Sequence, residues 1–199
     1  MDLYQHHIFT AAPRGAPALA ADILSVNAGG EKIFGVFTSQ IGLGVNHVVV
    51  ISRGAAGSGD VLAPGATGVA RQETWEADPR PLAGETFPET NGFFSHRWFD
   101  VAEGDWPRFR ELSVNAWDNF EGVHDSRVIG FWRSHAAPRP GLFRIWLMAW
   151  YKNLAAWEGS RWYLNSDRAD AAQAYENFRA RNQITADSAV SLLRRVSAP

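Results

Sequence analysis

LSVNA stands at residues 24–28 and again at 112–116 of a 199-residue chain. What flanks the two copies decides whether the chain carries a duplicated unit, and through that its fold. Upstream, HHIFT (6–10) precedes the first copy much as SHRWF (95–99) precedes the second; both are strand-like, and the match sets His7 against His96. Between strand and pentapeptide, APALAADILSVN (16–27) carries Leu19, Ile23 and Val26 at helical spacing, and EGDWPRFRELSVNAWDNF (103–120) carries Phe109, Leu112, Ala116 and Phe120. Each helix would bury one stripe against a sheet. Downstream, IFGVFTSQ (33–40) parallels VIGFWRSH (128–135), placing Gly35 against Gly130 and Phe37 against Trp132. A further strand follows each time, NHVVVISR (46–53) and LFRIWLMAWY (142–151), through connections whose Gly and Pro content suits hairpins.

The second half continues with helical sequence at 153–164 and 169–183, the latter with Ala171, Ala174, Tyr175 and Phe178 on one face. A closing strand at 186–196 completes β-α-β-β-α-β, the ferredoxin-like unit. In the first half, GAAGSGDVLAPGATGVA (54–70) is dominated by Gly and Ala, so its second helix is expected to be shortened, distorted or missing, with 70–79 as the closing strand. The expected organisation is a first half at 1–80, a linker at 81–92 and a second half at 93–199.

Composition narrows the function classes. Zero cysteines exclude disulfides, thiolate metal sites and a cysteine nucleophile. Formal net charge is −2, and neither half holds the basic excess that phosphate-backbone binding needs, so nucleic acid is not an expected partner. The richest apolar segment, 142–151, is ten residues long and interrupted by Arg144, too short to span a bilayer. The start, MDLYQHHIF, has no signal-peptide pattern, and a cytoplasmic setting is expected. Eight of the nine tryptophans fall between Trp98 and Trp162, which implies an aromatic-rich core or an aromatic-lined cavity.

The strand pair GVFTSQIGLGVNHVVVI (35–51), with the later SRVIGFWRSH (126–135) and FRIWLMAWYKNLAAWE (143–158), resembles the NIPSNAP-like branch of the dimeric α+β-barrel superfamily in tandem form. The resemblance implies two tandem ferredoxin-like units whose antiparallel sheets face each other and close an α+β barrel. It implies a protein that binds a small hydrophobic or aromatic molecule or associates with itself; a homodimer is compatible but not required. The superfamily also holds cofactor-free oxygenases, isomerases and haem proteins, so the fold does not name the reaction.

In such a barrel, strand alternation separates residues under helices from residues facing the interior. On 142–151, Phe143, Ile145, Leu147 and Ala149 suit the helix side, and Arg144, Trp146, Met148 and Trp150 the interior. A guanidinium beside two indoles fits an apolar pocket with one polar anchor, and equally fits plain barrel packing. Across the repeat, His47 stands where Arg144 stands. The enzyme reading is a cofactor-independent monooxygenase or isomerase acting on an aromatic or polyketide-like molecule. Its base would be His47 or His96, its oxyanion holder Arg144 or Arg133, and its walls Trp98, Trp132, Trp146 and Trp150. His96 and Asp100 lie too far apart along a strand rising about 3.3 Å per residue to pair directly. The histidines His6, His7 and His96 read also as rim residues. No metal motif, dinucleotide loop, lysine-bearing phosphate loop or nucleophile elbow is present, so no cofactor is expected, with haem left open because no histidine is marked as an axial ligand.

Overall fold

The computed structural model describes residues 3–27, 33–54, 61–86, 91–134, 136–165 and 167–197. The first four strands are β1 (Leu3–Thr10), β2 (Ile33–Ile41), β3 (His47–Arg53) and β4 (Gly68–Ala77), with helix α1 (Ala16–Val26) between β1 and β2. The next four are β5 (Phe93–Ala102), β6 (Ser126–Ser134), β7 (Leu142–Tyr151) and β8 (Thr185–Arg195), with α2 (Trp106–Val123) after β5 and α3 (Leu154–Gly159) and α4 (Ala172–Gln183) after β7. All paired strands are antiparallel, and they close into a barrel in the order β1-β3-β2-β8-β5-β7-β6-β4. Each half contributes a sheet in the ferredoxin-like order, fourth strand, first, third, second. The seams run β2 to β8 and β4 to β6, so this one chain closes the barrel by itself.

Alternation along each strand sorts side chains into three cores. Tyr4, Phe37, Val49, Trp75, Trp146 and Met148 belong to the barrel interior. Phe109, Trp117 and Phe120 of α2 cover the outer face of the second sheet, against Phe131, Ile145 and Ala149. Leu19, Ala20 and Ile23 of α1 cover the first sheet, against Val36, Val48 and Val50. The interior is crowded: a methyl built on Gly130 would overlap the indole of Trp132, which folds back across it. Gly42, at φ +89° in the β2–β3 turn, faces the Val190 carbonyl so closely that a Cβ would stand 2.7 Å from it.

The two halves repeat one order of strands and α-helices up to the third strand, but not in the register that LSVNA suggests. Both helices open with a proline one residue after their start, Pro17 and Pro107, where a missing N–H costs nothing. Counting from that point pairs Leu19 with Phe109, Ile23 with Ser113 and Leu24 with Val114, and burial agrees at each. The pentapeptides are two residues out of step. Val26 is 44% exposed at the end of α1, whereas its letter-for-letter partner Val114 packs against the second outer core. Leu112 is half-buried, and the stripe passes instead through Ser113, Ala116 and Trp117.

The same offset corrects the first strands. His6, not His7, is the counterpart of His96, because Leu3 begins β1 as Phe93 begins β5. A one-residue slip on a strand moves a side chain to the opposite face. His6 therefore points inward with Tyr4 and Ile8, while His7 stacks on Phe9 on the outer side. Residues 61–67, the described part of the Gly/Ala tract before β4, form no helix, and Val61, Ala63 and Ala66 pack against the α1 core instead. In the second half, the expected helix at 153–164 is confined to the six residues of α3, capped by the Asn153 side chain, which accepts from the Ala156 N–H at 2.8 Å.

Candidate functional site

The barrel interior gathers most of the residues singled out in the sequence. Trp146 lies at its centre, with ring centroids 3.6 Å from His6, 5.0 Å from His96, 5.0 Å from Trp75 and 6.4 Å from Trp132. His96 is also 5.0 Å from Phe37. Far from lying at a rim, His6 and His96 are 2% and 1% exposed, and none of their four ring nitrogens has a protein hydrogen-bond partner. Burial pushes His96 down to about 3 and holds His6 well below the ordinary imidazole range, with His96 and Arg71 adding repulsion at His6. Both rings are neutral at pH 7.

Arg144 stands at one mouth of the barrel, where Asp100 grips it with two hydrogen bonds of 2.8 and 2.9 Å. The side-chain hydrogen bond to Asp100 raises the Arg144 pKa further. Trp98 lies between Arg71 and Arg144, whose guanidinium carbons are 5.1 and 5.9 Å from its ring. His47 is half-buried at the start of β3, its ring beside Gly44. Trp150 is at the far end of β7, donating its indole N–H to the Asn91 carbonyl at 2.6 Å. Arg133 is not in the barrel: it points to the outer face, pairs with Glu76 at 3.0 Å and lies over the rings of Trp106 and Phe143. His135 lies outside the described residues. Apart from Arg133, the predicted residues within the described segments are brought to one barrel, but Arg144 and Trp150 occupy opposite ends, and packed rings fill the space between.

A partly open cavity lies on the other face of the second sheet, beneath α4 and the segment after α3. Its volume is about 90 Å³, and its walls include Arg97 and Phe99 of β5, Tyr151 of β7, Arg161, and Phe178 and Arg181 of α4. Arg97 alternates with His96 and Trp98, so it emerges under the helices. Arg181 follows Ala174, Tyr175 and Phe178 along the buried stripe of α4. It is 7% exposed, with its guanidinium 4.7 Å from the Phe99 ring and 5.0 Å from that of Phe178 and only a 3.4 Å hydrogen bond to the Ser113 hydroxyl. Burial, with repulsion from neighbouring Arg97 added, pushes the Arg181 pKa down to about 9; burial lowers Arg97 as well. Among the described residues, no aspartate or glutamate lines the cavity.

Sequence reasoning missed this site because it searched the inward faces only. The signal was present: Arg97 falls on the alternation of Phe93, Ser95 and Phe99, and a charge on a helix-covered strand face is an exception that asks for a partner. An open groove between α2 and residues 79–85 also carries charges, but Arg80 pairs with Glu121 and Arg127 with Glu85. Haem fits neither face. The helix-side cavity has no histidine in its walls and is too small for a porphyrin, and the buried histidines are hemmed in by rings. Among the described residues, no three His, Asp or Glu side chains converge to hold a metal, and no helix is long and apolar enough to cross a membrane.

No family model matches the chain, and no curated protein matches it in sequence. Solved structures do match in fold. A candidate monooxygenase from Lactobacillus acidophilus superposes with a TM-score of 0.63 at 10% identity, over 98% of this chain and 93% of that one. An anthrone oxidase-like protein gives 0.58 at 12% identity, over 98% and 92%. A ferredoxin-fold protein from Listeria monocytogenes, related to antibiotic biosynthesis monooxygenases, gives 0.52 at 8% identity, over 99% and 96%. At these identities the likeness is one of fold: two ferredoxin-like units forming an α+β barrel.

Proposed function

We propose that this barrel protein binds a small organic anion in the cavity beneath α4, its carboxylate held by Arg97 and Arg181 and its carbon skeleton against Phe99, Phe178 and the neighbouring tyrosines. The observation that carries this reading is the pair of guanidinium groups sharing a recessed, aromatic-walled space that no acidic side chain among the described residues lines. A buried cation without a counter-ion is costly, and a bound carboxylate is the partner that planar guanidinium forks match best. A volume of about 90 Å³ suits an acid of a few carbon atoms, or the acidic head of a longer molecule. The wider placement in the NIPSNAP-like branch, on the strand pair 35–51, and in the cytoplasm belongs to the same proposal.

The test is calorimetric titration of the full chain with a panel of short aliphatic and aromatic carboxylates, alongside Arg97→Met and Arg181→Met variants and mass spectrometry of whatever copurifies. Binding of at least one carboxylate, lost in both variants, is expected. Binding by none, or equal binding by the variants, refutes the reading.

The oxygenase reading, with a base inside the barrel, has less support. A ring held near 3 is a weak base at neutral pH, and Arg144 is already engaged by Asp100. Oxygen uptake with phenolic substrates, abolished by His96→Phe, would restore it.

A further inference from the structure

We propose that the His6–His96 pair inside the barrel binds one soft monovalent cation, Cu(I) or Ag(I), with the two imidazoles as principal donors, Met148 as a third and Trp146 as a cation–π wall. This goes beyond the anion cavity, which lies on the opposite face of the second sheet.

The first ground is satisfaction. Buried polar atoms in folded proteins almost always have a partner, and an orphan loses its solvation with nothing in return. Here four ring nitrogens on two facing strands have none from the protein. The second ground is spacing. Two imidazoles bound end-on to one ion, with metal–nitrogen bonds of about 2.0 Å and about 1.1 Å from nitrogen to ring centre, place their centroids roughly 6 Å apart. The centroids of His6 and His96 are 6.2 Å apart, and the tilt between the rings, 47°, is that of neither a stack nor a T.

The third ground is donor chemistry. A closed zinc site takes four N, S or O ligands, and hard cations take several oxygens; the described residues offer no third His, Asp or Glu, and the chain has no cysteine. What stands next to His96, in register across the β5–β7 ladder and on the same face, is the thioether of Met148. Imidazole with thioether selects a soft ion, and such ions accept two or three ligands.

The ion's charge is also accommodated. The Trp146 ring lies against both histidines, at 3.6 and 5.0 Å, and indole is the strongest aromatic partner for a cation. Glu73, the register partner of His6 on β4, has one carboxylate oxygen buried and without a hydrogen-bond partner; its other oxygen faces Arg71 at 3.6 Å, a cation that opposes the site. Binding involves no electron transfer, so no oxidant or reductant is required.

The experiment uses the full chain without oxygen, titrated with Cu(I) against a competing chelator and with Ag(I) as a redox-inert probe, read by tryptophan fluorescence. One equivalent per chain is expected. His6→Phe and His96→Phe should each weaken binding by at least about 100-fold, since losing even an outer-shell partner costs 10–100-fold. His7→Gln, one residue away on the outer face, should bind as the parent does. Because the phenylalanine variants could fail to fold, the parent with ¹⁵N-labelled histidine supplies an independent reading: silver–nitrogen coupling at two rings, silenced in no other variant. Absence of binding by the parent, equal binding by the phenylalanine variants, or silver coupled to any other histidine pair overturns the proposal.

Discussion

Replacing Arg181 with methionine should make the protein more stable and blind to its ligand at once. The guanidinium is 7% exposed, and burial, with repulsion from Arg97, brings its pKa down from the ordinary arginine range to about 9. At about 1.4 kcal/mol per pH unit, that shift is a differential cost of roughly 5 kcal/mol on the charged form, an upper figure. The rings of Phe99, Phe109 and Phe178, at 4.7, 5.6 and 5.0 Å, return part of it, each worth about 0.5–2 kcal/mol. Methionine fills a similar volume without the charge, and such replacements of buried charges stabilise by about 1–4 kcal/mol. For a chain of this size we expect the melting temperature of Arg181→Met to rise by about 3–9 °C without ligand. With a carboxylate at 100 times its Kd, the parent should gain about 2.7 kcal/mol and the variant nothing. Thermal and urea unfolding, with and without ligand, measure both. If Arg181→Met lowers the ligand-free stability by 1 kcal/mol or more, the arginine is a structural keystone of its three rings; if the variant keeps the ligand-induced gain, the cavity is not the anion site.

Other perturbations test the frame around it. Gly130→Ala drives a methyl into the Trp132 indole and should cost about 1–3 kcal/mol in urea unfolding, partly recovered by adding Trp132→Leu; strictly additive losses would show that the two do not touch. Asp100→Asn leaves Arg144 without its carboxylate at the barrel mouth and should cost about 3 kcal/mol by the same measurement. Asn153→Ala removes the α3 cap and should cost about 1 kcal/mol; a larger loss would mean that the α3 segment, whose continuation covers the cavity, is supported mainly by that bond.

The order of strands and helices was legible because periodicity is local and the two halves repeat it. The faces of β7 followed from alternation alone: Phe143, Ile145, Leu147 and Ala149 lie with the helices and Trp146 and Met148 within the barrel. Register was harder. LSVNA drew the eye as an identity, yet letters on a helix surface are weakly constrained, and the true marker was a pair of prolines at helix starts. The resulting offset matched His7 to His96, whereas His6 is the residue that meets His96 inside the barrel. The cavity was the least legible feature. It depends on a strand residue, Arg97, meeting a helix residue, Arg181, far along the chain, and no spacing rule announces that meeting.

The two seams of the barrel also govern how the chain must be assembled. β2, paired with β3 on one side, finds its second neighbour in β8, with Phe37 opposite Arg195, and β4, paired with β1, finds its second in β6. Contacts so distant in sequence make folding slow, since loop closure precedes any reward from pairing. As the chain leaves the ribosome, the first sheet waits with bare backbone on both outer strands, and with one flank of its aromatic interior uncovered. Exposed strand edges of that kind invite pairing with other chains. A fragment ending after β4 should therefore aggregate where the full chain stays monodisperse.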